Sequence, residues 1–239
     1  MVSKRCSNLT CLQQETYKPR MYMEDQDEIN SMMRAILIDW LVEVHMKFKL
    51  VPETLYLCIN IIDRYCSQVE VERRKLQLVG VTALLLACKY EEIYPPEVRD
   101  CVYITDRAYT RQDVLDMEQK IVNTLQFKLT VPTAYPFLVR YLQVTKASEL
   151  TGAAATYYME RTLQDYDFVQ HRPSLVAAAA VCLALNNPQV RTAENATGRK
   201  PGIVSISAVY FNTFIPSSHT TLSRCPDGGP CRVYGVREK

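Results

Sequence analysis

The sequence predicts an all-α protein, and three observations carry that reading. Apolar residues recur with a helical period from about Asn30 to Asn187, and only two of the chain's seven glycines fall in that stretch. Proline and cap residues punctuate the same stretch at intervals that suit helices. One nearly all-apolar segment, LVGVTALLLA from Leu78, is echoed 97 positions further on by LVAAAAVCLA from Leu175.

The first helix begins after Asn30 and Ser31, both able to cap exposed backbone N–H groups, and runs through MMRAILIDWLVEVHMKF to Lys49. Val51-Pro52 breaks it, and Pro52 then opens a second helix to about Cys66, because a missing N–H costs nothing in a first turn. A third spans about Lys75 to Ile93 and stops at Tyr94-Pro95-Pro96. A short fourth covers about Glu97 to Ile104. The fifth starts at Thr110, which forms a capping box in aspartate form with Asp113, and continues to about Leu125. Gln126 to Thr133 reads as a linker. Three helices follow at about Ala134 to Val144, Ser148 to Gln164 and Pro173 to Asn186.

In the two echoing segments, Gly80, Ala83 and Ala87 match Ala177, Ala180 and Ala184, which places one stripe of small residues along a single face of each helix. Such a stripe lets neighbouring helices approach closely. The inference is a tandem duplication of a small helical domain, each copy built round one apolar helix. After Asn187 the character changes: the last 52 residues hold five of the seven glycines and five of the twelve prolines, and only Ile203 to Phe211 has a strand-like pattern. That tail does not repeat the first copy, and the expectation is an irregular, divergent segment.

A balance of 28 basic and 26 acidic side chains, net +2, is too small for a sequence-independent phosphate-binding module, so nucleic acid is not an expected partner. The longest apolar runs, Leu78 to Cys88 and Leu175 to Leu185, are shorter than the ~20 residues that span a bilayer, so neither a membrane anchor nor a signal peptide is expected. Nine cysteines, several inside apolar helices, suggest reduced thiols in an intracellular protein. Cys6, Cys11, Cys225 and Cys231 lack the spacing of a convincing zinc site. No glycine-rich phosphate loop is present, and His45, His171 and His219 stand far apart, so no metal, cofactor or catalytic residue is expected. Asp25 to Glu28 and Glu91-Glu92 read as solvated charge runs.

The first helix carries more apolar surface than one buried face needs. Met33, Ile36, Leu37 and Trp40 recur at helical spacing, while Ile38, Leu41, Val42 and Val44 cover much of the rest. On periodicity alone the stripe reads as core; the alternative is a shallow peptide-docking groove with Trp40 as anchor. Taken by themselves, Lys89 is a helix-end lysine that complements the dipole and Glu118 a solvated charge.

The segments MRAILIDWLVEVHMKFKLVPETLYLCINIIDRY, KLQLVGVTALLLACKYEEIYPPEVRDCVYITDRAYT and VLDMEQKIVNTLQF resemble the cyclin box of A- and B-type mitotic cyclins, the B type above all. LQDYDFVQHRPSLVAAAAVCLAL resembles the start of the second cyclin fold. The likeness covers about residues 19–187 and implies tandem cyclin folds: a short extension at 1–18, a complete five-helix box at 19–127, a partial second fold of about three helices at 128–187, and a tail at 188–239.

The family's function, carried over, is that of a non-catalytic regulatory subunit that binds and activates a cyclin-dependent serine/threonine kinase in G2/M control, in nucleus and cytoplasm, with no cofactor of its own. The resemblance implies that Lys89 and Glu118 meet the kinase as a charged pair, flanked by the apolar Leu86, Tyr90, Val122 and Phe127. It further implies that Met33, Ile36, Leu37, Trp40, Glu43 and Gln77 form a patch for Arg-x-Leu docking motifs of substrate or inhibitor proteins, with Glu43 meeting the peptide arginine. Arg34 and Asp63 match the pair that ties the first two helices together. The family's long N-terminal segment with its destruction signal, and the helix that packs on the box, are expected to be absent. The RxxL matches at Arg34 and Arg172 lie on or beside helices and are not degradation signals. Two other readings stay open: an inhibitory fragment that holds a kinase without activating it, and a transcription-factor-like protein that shares the fold.

Overall fold

A computed structural model describes residues 13–190 and 192, all within one compact unit. The strand-like run at Ile203 to Phe211 and the cysteines at 6, 11, 225 and 231 lie outside the described residues, which contain helices, turns and loops and no strand. The helices of the first repeat are α1 (Ser31–Phe48), α2 (Pro52–Cys66), α3 (Leu76–Glu91), α4 (Val98–Ile104) and α5 (Arg111–Thr124). Those of the second are α6 (Ala134–Thr145), α7 (Glu149–Gln164) and α8 (Pro173–Asn186).

The local signals act where expected. The Asn30 side chain accepts from the Met33 N–H, and the Thr110 and Asp113 side chains cap one another's backbone reciprocally. Pro52 sits in the first turn of α2. The third helix is shorter than predicted, because Glu92 turns extended and its carboxylate accepts from the Val51 N–H and the Thr54 hydroxyl, both at 2.7 Å. Glu92 is therefore not a merely solvated charge: it ties the end of α3 to the start of α2.

From Leu78 to Cys88 every residue of α3 is buried, with α1, α2, α4 and α5 packed around it. Gly80 is where α1 comes closest: a Cβ there would lie 2.7 Å from Cδ1 of Leu37. The matching helix α8 buries Ala177, Ala180, Val181 and Ala184 against α6 and α7. Its other face, with Leu175 and Leu183 at 56% and 41% exposure and Cys182 beside them, has no covering helix among the described residues. Among the described residues the duplicated helix is thus central in one repeat and marginal in the other.

Arg34 on α1 and Asp63 on α2 form a two-pronged ion pair, with Nε to Oδ1 at 2.7 Å and Nη2 to Oδ2 at 2.8 Å, both side chains nearly inaccessible. The Tyr22 hydroxyl adds a 2.8 Å bond to Oδ1, and Arg34 Nη1 donates to the Leu163 carbonyl at the end of α7. This pair therefore joins the two repeats as well as α1 to α2. Burial, then the adjacent Asp63 carboxylate, hold the Tyr22 phenol far above its usual range, so it stays a donor.

The segment before residue 19 packs more than the sequence suggested. Residues 13–16 form a helical turn, buried Gln14 accepts from the Ser174 N–H, and Tyr17 lies under the Arg64 guanidinium. Gln26, placed by the sequence in a solvated charge run, is 7% exposed: it donates to the Cys66 and Val69 carbonyls and accepts from the Val71 N–H. It pins the loop between α2 and α3.

Candidate functional site

Two exposed surfaces gather the residues singled out in the sequence. The first is built from the C-terminal ends of α3 and α5. Lys89 follows directly on the buried run of α3, and its Nζ lies 2.6 Å from the Glu118 carboxylate on α5. Glu118 is largely covered and Lys89 about half exposed, so the pair is held in a fixed geometry with its cation facing out. Val122, one turn after Glu118, is partly buried and supports the loop: the Phe127 N–H donates to the Val122 carbonyl at 3.0 Å.

Phe127 follows a left-handed turn at Gln126 and Phe127, with φ of 53° and 58°, which throws its ring outward to 75% exposure. Tyr90 is 46% exposed and its hydroxyl bonds to that of Thr130 at 2.6 Å, which latches the end of α3 to the same loop. Leu86 does not join this surface. It is 5% exposed inside the core, because it sits one turn back along α3, within the run that the neighbouring helices cover. The sequence reading missed Ile93 and Tyr94, 86% and 91% exposed just beyond α3. Their place beside Pro95-Pro96 was visible, but adjacency to a helix stop does not reveal exposure.

The second surface is a groove of about 440 Å³ between α1 and the start of α3. Met33, Ile36 and Trp40 line one wall and Gln77 and Leu76 the other, so the stripe on α1 is a groove and not only core. Ile36 is 62% exposed at the lip, whereas Leu37 is 6% exposed and forms the floor against Gly80. Leu37 is therefore chiefly a packing residue. Glu43 is exposed on α1 but does not line the groove, since it lies three residues beyond Trp40 toward the helix end. Arg73, not singled out in the sequence, closes the groove at the loop before α3.

Neither surface has the constellation of a catalytic centre. Among the described residues no three histidine, cysteine or acidic side chains gather as metal ligands, and no helix is long and apolar enough to cross a membrane. The thiols of Cys66, Cys88 and Cys101 are each pushed up to about 12, first by burial, which makes them poor nucleophiles.

A model of the cyclin N-terminal domain matches residues 4–130 and one of the cyclin C-terminal domain residues 132–198. Cyclin-B2-1 of Oryza sativa subsp. japonica is 53% identical over 163 residues, 68% of this chain and 39% of that protein. Cyclin-B2-2 of Arabidopsis thaliana is 53% identical over 166 residues, 70% of this chain and 39% of its own length. The G2/mitotic-specific cyclin-2 of Medicago sativa is 50% identical over 163 residues, 68% of this chain and 50% of that one. This chain thus spans about two fifths to one half of these relatives. Among solved structures, a viral cyclin from herpesvirus saimiri superimposes with a TM-score of 0.68 at 20% identity, covering 81% of this chain and 89% of the other. The yeast RNA Pol II CTD kinase CTDK-1 complex contains a chain that matches with a TM-score of 0.58 at 13% identity, covering 76% of this chain and 60% of its own. At those identities the structural likeness speaks for the fold alone.

Proposed function

The chain belongs to the cyclin family, with B-type relatives, and from that premise we propose that it is a regulatory subunit that binds and activates a cyclin-dependent serine/threonine kinase in mitotic control. The observation that carries this reading is the Lys89–Glu118 pair, held at 2.6 Å beside the outward Phe127 and Tyr90. A rigid ion pair ringed by exposed aromatics suits a helix of the partner: the rings supply area, and the pair supplies register.

Packing on the kinase αC helix would keep its glutamate paired with the ATP-binding lysine and move the activation segment off the substrate cleft. The energy of docking must then favour the active conformer over the inactive one. The partner supplies ATP, magnesium and catalysis; this chain contributes surface. The groove of Met33, Ile36, Trp40 and Gln77 serves as the recruiting site for Arg-x-Leu motifs of substrates or inhibitors. Because Glu43 stands outside the groove lining, it meets the peptide arginine only if the peptide extends past Trp40 along α1. The complex works in the nucleus and cytoplasm.

The exposure of Leu175 and Leu183 on α8 favours one second reading: a chain that holds a kinase without activating it. A pull-down with a mitotic cyclin-dependent kinase, followed by phosphorylation of a histone-type substrate, separates the two. Binding with activity is expected. Binding without activity supports the second reading, and the loss of neither in Lys89→Ala/Glu118→Ala refutes the docking surface.

A further inference from the structure

A third surface feature is used by neither of the above. A cleft of about 350 Å³ lies between the segment before α1, the end of α2 and the end of α5. Lys18, Arg20, Arg64 and Lys128 line it together with Thr16 and Thr124, and among the described residues no carboxylate does. Four cations converging without an acid repel one another, and that arrangement persists most readily where an anion completes it.

Arg64 is the informative member. It is only 7% exposed, yet forms no ion pair among the described residues; its guanidinium donates to the Lys128 carbonyl at 2.9 Å and lies over the Tyr17 ring at 5.3 Å. The adjacent acid, Asp63, has both oxygens committed to Arg34 and Tyr22. Burial pushes Arg64 below its ordinary value, as expected for a cation taken out of water with no counter-charge. Lys18 has one loose acidic neighbour, Glu15 at 3.8 Å, which is also bridged to Arg172; the Lys128 ammonium donates to the Gln126 side chain at 2.8 Å. The rim of the cleft is continuous with the proposed kinase face, because Gln126 and Lys128 flank Phe127.

We propose that this cleft binds a phosphate monoester carried on a phosphoserine or phosphothreonine of a protein segment docked along the Phe127 face, with Arg64 as the buried anchor and Lys18, Arg20 and Lys128 closing over it. A dianion matches four cations better than a single carboxylate, and a guanidinium fork bonds two phosphate oxygens at once. The source of the phosphate rests on the reading of this chain as a kinase subunit, which brings phosphorylated protein to its surface.

The test is calorimetric titration of the whole chain with three probes: a five-residue Gly/Ala peptide with a central phosphoserine, the same peptide unphosphorylated, and inorganic phosphate. The phosphopeptide should bind at least tenfold more tightly than its unphosphorylated form and be displaced by inorganic phosphate. Arg20→Gln/Lys128→Gln, both at exposed positions, should weaken it at least tenfold with unchanged helical circular dichroism; Arg64→Lys, which keeps charge but not the fork, should also weaken it. Equal binding of the two peptides, or unchanged binding in Arg20→Gln/Lys128→Gln, overturns the site. Binding of inorganic phosphate with exclusion of the phosphopeptide overturns the protein-borne source. Lys89→Ala/Glu118→Ala should retain phosphopeptide binding, so that failure of the kinase reading and failure of this site are read separately.

Discussion

Replacing Asp63 by alanine tests whether the buried pair supports both repeats. The carboxylate accepts three bonds, from Arg34 Nε at 2.7 Å, Arg34 Nη2 at 2.8 Å and the Tyr22 hydroxyl at 2.8 Å, in a site where both charged side chains are at most 6% exposed. Its removal leaves Arg34 as a buried cation whose remaining partners are the carbonyls of Leu163 and Gln164, and it orphans the Tyr22 hydroxyl. Breaking such a pair costs about 3–5 kcal/mol. For a chain of this size, 1 kcal/mol corresponds to roughly 2–4 °C, so Tm should fall by on the order of 6–20 °C. Replacing both partners by apolar residues, Arg34→Met with Asp63→Leu, leaves no uncompensated charge and should be far milder than Asp63→Ala alone. Urea and thermal unfolding followed by circular dichroism measure both variants against the unsubstituted chain. A loss below about 1 kcal/mol in Asp63→Ala, far under the cost usual for a broken buried pair, would refute the claim that the pair holds the repeats together.

Further expectations follow from individual contacts. Leu37→Ala should destabilise by about 2–5 kcal/mol because its side chain is the packed floor against Gly80, whereas Ile36→Ala at the lip should stay within about 0.5 kcal/mol and instead weaken binding of an Arg-x-Leu peptide; equal stability losses would contradict the assigned floor and lip. Thr110→Ala removes one side of a reciprocal cap and should cost about 1 kcal/mol in the same assay. Among the described cysteines, Cys182 should be alkylated within minutes at pH 8 while Cys58, Cys66, Cys88 and Cys101 label only on unfolding, as read by mass spectrometry of digests. The folded values of Cys66, Cys88 and Cys101 lie above the ordinary thiol value of 9, burial being the main cause, so the stability these three contribute is intact below pH 9 and declines as pH rises toward about 12. A stability profile that is flat from pH 9 upward would contradict that burial.

The features legible in the sequence were those whose causes are local. Asn30 and Thr110 with Asp113 start helices through bonds to their own neighbours, and Pro52 opens one because a first turn needs no N–H, so their effect does not wait on the fold. The matched stripes at Gly80 and Ala177 announced the duplication for a similar reason: spacing along one helix defines a face before any partner is known. Sequence reasoning did not reveal that Leu86 lies in the core or that Glu43 stands outside the groove lining, since a position within a motif does not say which side of a five-helix packing it occupies. It also overlooked Gln26, whose bonds run 40 to 45 residues along the chain, to Cys66, Val69 and Val71.

Helix limits, the repeat and the family were therefore determined by the sequence itself, because periodicity, caps and motif order are properties of neighbouring residues. Tertiary structure alone decided that the stripe on α1 is half floor and half groove, that Lys89 faces out while Leu86 faces in, and that Leu175 and Leu183 on α8 stay exposed. It alone decided, too, that Arg64 is a buried cation whose neighbouring acid already belongs to Arg34. Each of those depends on which surfaces meet and which charges are already paired, and distant segments settle both only when the chain has closed on itself.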